Sequence, residues 1–268
     1  MEELTLNIDG INIAFARRGT GQSLLLLHGY PLDRSIWNDV AEMLEADFDL
    51  IIPDLRGFGS SDVMEADRSM IEYASDLAGL LELLKVRKAH VVGHSMGGYI
   101  ALAFAREFSN KVAGLGLVSS QVAADTPERK AARQQTARQV MEQGVEDVAE
   151  GMTPKLSPDA RVQTQVRNVI GRQRPLGLSV ALDAMAGRLD STDVLRSFKL
   201  PIVIVHGDAD ELIPVDRARE MKSLVPTAHY LELRGGGHMP MLENPPAVAE
   251  ALRFLGIGGQ KGVKILDR

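Results

Sequence analysis

Five short apolar runs, SLLLLHG, FDLIIPDLRG, AHVVGH, KVAGLGLVSS and LPIVIVHGD, alternate with segments of helical spacing. This alternation constrains the fold more than any other feature of the chain. A short, continuously apolar run suits a strand covered on both faces, and strands separated by helices build a parallel sheet flanked by helices. Two further runs, LTLNI and INIAFAR, flank Asp9-Gly10, a dipeptide that favours a hairpin turn, and HYLEL supplies a last strand. The expected fold is therefore α/β: a mostly parallel eight-stranded sheet with helices on both faces. Asp33 is a candidate N-cap for RSIWNDVAEMLEA, and Ser69 with Glu72 forms a capping-box pattern. Behind that box, Met70, Tyr73, Leu77, Leu81 and Leu84 share one helical face.

The rhythm breaks from about Gln121 to Leu195, where PERKAARQQTARQVMEQG, VEDVAEGM, DARVQTQVRNVIGR and LGLSVALDAMAGR all read as helices. A strand-to-strand crossover needs far fewer residues. Residues 121–195 are accordingly expected to form an inserted helical lid on a core built from residues 1–120 and 196–268. The basic residues of ERKAARQQTARQ are expected to form a solvated helix face, and the tail GIGGQKGVKILDR to be loosely held.

Parallel α/β sheets place their sites beyond the C-terminal ends of the strands, so the residues just after each apolar run carry the chemistry. There Gly93-His94-Ser95-Met96-Gly97 fits G-x-S-x-G between a strand and the helix Met96–Glu107. Glycine two residues before and after the serine permits a turn sharp enough to expose its hydroxyl. A serine hydroxyl needs a base, and the base an orienting acid. Of the six histidines, His28 and His206 end strands and are expected to hydrogen-bond at the sheet's edge. His90 and His229 start strands, and His94 lies inside the turn. His238 follows RGGG directly after the last strand, at the correct end of the sheet, and is the candidate base. HGDADELIP offers Asp208, Asp210 and Glu211 as the acid, and spacing alone does not choose among them. Two backbone amides are expected to bind an oxyanion: Met96, after the nucleophile, and Tyr30, after His28-Gly29.

Composition narrows the alternatives. A net charge of −6 argues against a nucleic-acid or anionic-membrane partner. The absence of cysteine removes disulfides, thiolate metal sites and a cysteine nucleophile. No apolar run has the length of a membrane span, and MEELTLNIDG lacks the pattern of a signal peptide, so a soluble cytoplasmic protein is expected. No metal-ligand cluster and no G-x-G-x-x-G after a strand is present, so neither a metal nor another cofactor is expected. The expected partner is a small-molecule ester. Monomer and homodimer remain open.

HGYP, DLRGFGSSD, GHSMGG, HGDADELIP and GGGHMPMLENP, in that order, resemble the α/β-hydrolase superfamily over about Leu24 to Leu255. HGYPLDRSIW, HSMGGYIALAFA and STDVL further resemble bacterial carboxylesterases, and next the enol-lactone hydrolases of aromatic catabolism. The resemblance implies a catalytic set of Ser95, Asp210 and His238, with Tyr30 and Met96 as oxyanion donors, a structural role for Glu243, and the helical insertion as a cap. Haloalkane dehalogenases and epoxide hydrolases of this fold carry aspartate at the Ser95 position, which disfavours those activities. The expected function is a serine carboxylesterase acting on short-chain esters through an acyl-enzyme. A lactonase, a carbon–carbon bond hydrolase or a perhydrolase would use the same triad, and a ligand-binding signalling protein is the reading outside enzymology. Trp37, Phe58, Met152, Met185 and Met239 are the candidate substrate contacts; Leu156 and Leu189 face either the site or the core.

Overall fold

The computed structural model describes residues 3–64 and 69–257; the tail 258–268 lies outside the described residues. Its frame is an eight-stranded sheet in the order β1-β2-β4-β3-β5-β6-β7-β8. The strands are β1 (Glu3–Ile8), β2 (Ile11–Arg18), β3 (Gln22–Leu27), β4 (Phe48–Pro53), β5 (Ala89–His94), β6 (Val112–Val118), β7 (Ile202–Gly207) and β8 (His229–Leu233). The expected hairpin joins β1 and β2, with Asp9 (φ 49°) and Gly10 (φ 93°) both in the left-handed region that a two-residue hairpin loop demands. β2 pairs antiparallel with β4, and every later pairing is parallel.

The central strands are apolar on both faces because helices cover both. All residues of β4, β5 and β7 are buried. Around the sheet lie α1 (Asn38–Leu44), α2 (Met70–Leu83), α3 (Met96–Glu107), α9 (Asp216–Leu224), α10 (Pro240–Glu243) and α11 (Pro245–Ile257). The Ser69 hydroxyl accepts from the Glu72 amide and caps α2, whose Met70, Tyr73, Leu77 and Leu81 are buried. Asp33 caps a short 3-10 turn, Arg34–Trp37, through the Ser35 amide before α1 begins.

The strand order reverses at β3, which has β4 on one side and β5 on the other. At such a switch point the connections leave in opposite directions and open a crevice above the strand ends. The loop beginning at His28 and the turn at Ser95 sit at this crevice.

Between β6 and β7 the chain inserts α4 (Pro127–Gln143), α5 (Glu146–Leu156), α6 (Ala160–Ile170), α7 (Pro175–Ala186) and α8 (Thr192–Ser197). The α6–α7 corner is fastened to the core. Arg172 and Gln173 both donate to Asp33, the Gly59 amide donates to the Gln173 carbonyl oxygen, and Arg174 donates to the Ser61 carbonyl. Gly177 lies backbone to backbone on Gly57, where a Cβ would overlap the Gly57 carbonyl. Among the described residues no helix is long and apolar enough to cross a membrane.

Candidate active site

Ser95 stands between β5 and α3 with φ 52° and ψ −113°, a strained conformation for a residue with a side chain. The surrounding glycines account for the turn. A Cβ at Gly93 would overlap the Gly97 carbonyl, and one at Gly97 would lie 2.6 Å from the Leu27 oxygen. Gly98 answers to a different neighbour: a Cβ there would strike Ser120, whose hydroxyl donates to the Ser95 carbonyl at 2.9 Å. The helix that follows directs its free N-terminal amides at the site.

Tyr30 and Met96 are both buried, yet among the described residues neither backbone N–H has a hydrogen-bond acceptor. Buried amides without a partner are rare, because each forfeits its hydration. Tyr30 lines the cavity onto which Ser95 opens, and Met96 follows Ser95 in the chain.

His238 reaches the same place from the opposite edge of the crevice. Its Nδ1–H donates to Asp210 Oδ2 at 2.7 Å. A carboxylate only accepts, so the proton sits on Nδ1 and Nε2 is left with a lone pair. The His238 backbone is held at both ends: its N–H donates to the Leu156 carbonyl of α5 at 2.9 Å, and its carbonyl accepts from His94 Nε2 at 2.9 Å. Burial, followed by repulsion from His238, holds the His94 pKa well below its ordinary value, so His94 serves as a neutral donor.

Asp210 is buried and fully engaged. Oδ1 accepts the Leu212 and Ile213 amides at 2.8 and 2.9 Å, while His206 Nε2 lies 3.2 Å from Oδ2 and donates to the Ile213 carbonyl at 2.8 Å. Burial opposes ionisation, but attraction to His238 in its protonated form and the hydrogen bonds from His206, His238 and Ile213 outweigh it. The carboxyl is held far below its usual range. Asp208, two residues earlier, instead accepts the Gly235 amide at 2.6 Å and secures the glycine loop, and Glu211 is exposed. That loop crosses β7 so closely that a Cβ at Gly207 would overlap the Gly236 carbonyl, which brings His238 over Asp210. Glu243 fastens the loop from below by accepting the Gly237 amide at 2.7 Å.

Ser95 and His238 open onto one cavity of about 540 Å³, walled by the helical insertion. Met152 and Met185 line it. Trp37, Phe58 and Met239 do not, which corrects the expectation for these three. Trp37 is wholly buried in the 3-10 turn; Phe58 packs edge-on to the His28 and Tyr30 rings; Met239, the residue before α10, is wholly buried and absent from the cavity wall. Leu156 is buried and contributes its carbonyl, and Leu189 is exposed. The solvated-face reading of ERKAARQQTARQ agrees with the exposed Arg129 and Arg138 and is corrected at Arg133. Arg133 turns inward with its side chain only 14% exposed and lines the cavity with Arg129, Thr136 and Val140. Tyr99, Leu182 and Ile213 complete lining that sequence reading did not single out.

Residues 22–245 match the model of the family described as alpha/beta hydrolase fold. The chain belongs to the alpha/beta hydrolase fold family. This alpha/beta hydrolase is 35% identical to a thermophilic esterase from Thermogutta terrifontis, solved with malate bound, with a TM-score of 0.90 over 94% of this chain and 97% of that one. It is 27% identical over 256 residues to the pimeloyl-[acyl-carrier protein] methyl ester esterase of Aeromonas salmonicida, covering 91% of this chain and 99% of the relative. An enol-lactonase from Burkholderia xenovorans shares the fold at 21% identity, with a TM-score of 0.86 over 94% and 98% of the two chains. With esterase and lipase relatives, the alpha/beta hydrolase assignment covers both fold and broad chemistry.

Proposed function

We propose that this protein is a serine carboxylesterase acting on small carboxylic esters. The observation that carries the reading is the convergence of Ser95 and His238 on one cavity, with His238 Nδ1 already committed to Asp210. His238 Nε2 takes the Ser95 proton as Oγ attacks the ester carbonyl, and the carbonyl electrons move onto the oxygen. The Tyr30 and Met96 amides stabilise that oxyanion. Asp210 holds the imidazole tautomer and stabilises the imidazolium. Collapse of the intermediate breaks the C–O bond, His238 delivers the proton to the departing alcohol, and the acyl group remains on Ser95. Water then attacks by the same steps, with its proton taken by His238 and returned to Ser95 as the acid leaves. The insertion acts as a cap that walls the acyl pocket and, through Leu156, helps hold His238.

Ser95→Ala is expected to lower kcat on a short-chain p-nitrophenyl ester by about 10⁶-fold. A fluorophosphonate should add one adduct mass to the wild type, located on the Ser95 peptide, and none to the variant. Labelling elsewhere with activity retained in the variant would refute the assignment.

A further inference from the structure

Beyond the ester bond itself, the cavity carries an unmatched positive charge. The Asp125 side chain is completely buried and has three cationic partners, Arg133 Nε at 2.6 Å, Arg188 Nη1 at 2.6 Å and, from the exposed side, Arg129 Nε at 3.5 Å. The Arg133 and Arg188 side chains are 14% and 3% exposed, so two nearly buried cations share one carboxylate. A surplus buried charge is costly unless an anion meets it. Arg188 does not line this cavity: it also donates to the Met185 and Ala123 carbonyls, and its guanidinium carbon lies 4.1 Å from the centroid of the Tyr99 ring. Arg133 differs. Beyond Asp125, its hydrogen-bond partner among the described residues is the Met185 sulfur at 3.3 Å, a weak acceptor, and it faces the cavity.

The Tyr30 phenol provides the second observation. It is 6% exposed, lines the same cavity, and its hydroxyl has no hydrogen-bond partner among the described residues. A buried hydroxyl left unpaired forfeits free energy that a ligand acceptor would restore. Burial raises the phenol pKa, opposed by the nearby Arg133 charge, so the group stays an O–H donor at neutral pH. The wall around these groups includes the apolar Val140, Val148, Met152, Leu182 and Ile213, beside the neutral polar Thr136, Gln139 and Gln143. At the exposed rim, Arg129 and Lys155 outnumber Asp147 and favour the entry of anions.

We propose that the substrate is an ester or lactone carrying a second, ionised carboxylate, which the Arg133 guanidinium and the Tyr30 hydroxyl grip inside the cavity while Ser95 attacks the ester carbonyl. A guanidinium fork matches the two oxygens of a carboxylate, and the phenol adds a third donor. A half-ester of a short dicarboxylic acid is the simplest such molecule. This proposal rests on the esterase reading given above.

The test compares monoethyl esters of succinic, glutaric and adipic acids with the same esters whose free carboxyl is replaced by a primary amide. Ethanol release gives kcat and KM for each. The wild type is expected to prefer the best anionic ester over its amide partner by about 10- to 100-fold in kcat/KM, chiefly through KM. Arg133→Met should bring that ratio near unity, Arg133→Lys should keep part of it, and Tyr30→Phe, which retains the backbone amide, should lower it several-fold. A wild-type ratio near unity across the series, or a ratio unchanged in Arg133→Met, overturns the proposal. Should Arg133→Met fail to fold, the wild-type and Arg133→Lys ratios decide. Calorimetric titration of glutarate into the Ser95→Ala protein separates this failure from failure of the esterase reading. Glutarate binding that the Arg133 change abolishes supports the anion site even where no ester turns over, and no glutarate binding refutes it.

Discussion

Replacing Asp210 with Asn tests the hydrogen-bond network that fixes the His238 tautomer. Asp210 presents one oxygen to two backbone N–H groups, Leu212 and Ile213, and the other to His238 Nδ1 and His206 Nε2. An asparagine cannot satisfy both sides. With its carbonyl kept on the two amides, its NH₂ faces His238, and Nδ1 must become an acceptor. The ring proton then moves to Nε2 and points at Ser95, so the base is lost. The opposite rotamer would press NH₂ against two N–H donors and leave them unpaired inside the protein, at about 1–3 kcal/mol for each lost acceptor. The first arrangement wins. The expected loss in kcat is about 10⁴-fold, equivalent to ~5.4 kcal/mol of transition-state stabilisation. Steady-state hydrolysis of a short-chain p-nitrophenyl ester between pH 6 and 9 measures it, beside a thermal melt to establish that the variant is folded. A folded Asp210→Asn protein within tenfold of wild type at pH 7.5 would refute the reasoning.

Other consequences follow from single contacts. Gly98→Ala should lower stability by about 1–3 kcal/mol despite alanine's higher helix propensity, because the new Cβ strikes Ser120; adding Ser120→Gly should recover most of the loss in a urea titration. His94→Leu removes the donor to the His238 carbonyl and should cost about 1–3 kcal/mol while lowering kcat more than it raises KM, read by chemical denaturation and by kinetics. The folded-state pKa of Asp210 is depressed, so its ionisation stabilises the fold above the ordinary carboxylate pKa of about 4, and that contribution fades as pH falls toward the folded-state value. Melting temperatures of Asp210→Asn should therefore depend less on pH below about 4 than those of the wild type.

The elements that local chemistry specifies were legible in the residues alone. Asp9-Gly10 sets the hairpin because both positions need positive φ, and Ser69 caps α2 because the Glu72 amide that donates to its hydroxyl lies three residues away. Gly93 marks the serine turn because a Cβ there would overlap the Gly97 backbone four residues on. Each of these depends on neighbours within a few positions, so sequence contains the whole interaction. The alternation of apolar runs likewise carried the sheet, since burial on both faces leaves no other arrangement for them.

Choices between nearby residues belonged to tertiary structure. Asp208 and Asp210 are chemically alike, and the crossing of residues 235–237 over Gly207 puts one against Gly235 and the other beneath His238. Trp37 and Phe58 follow site loops in sequence, but the direction in which each side chain leaves the backbone buries it away from the cavity. Arg133 lies in a mainly polar helix, and its inward turn follows its bond to Asp125, a carboxylate it shares with Arg188, fifty-five residues away. Sequence by itself determined which side chains are available to the site, because serine, histidine, carboxylate and turn are written in residue types. Only the folded chain decided which copies of those residue types meet, because pairing depends on distances between segments that no local pattern encodes.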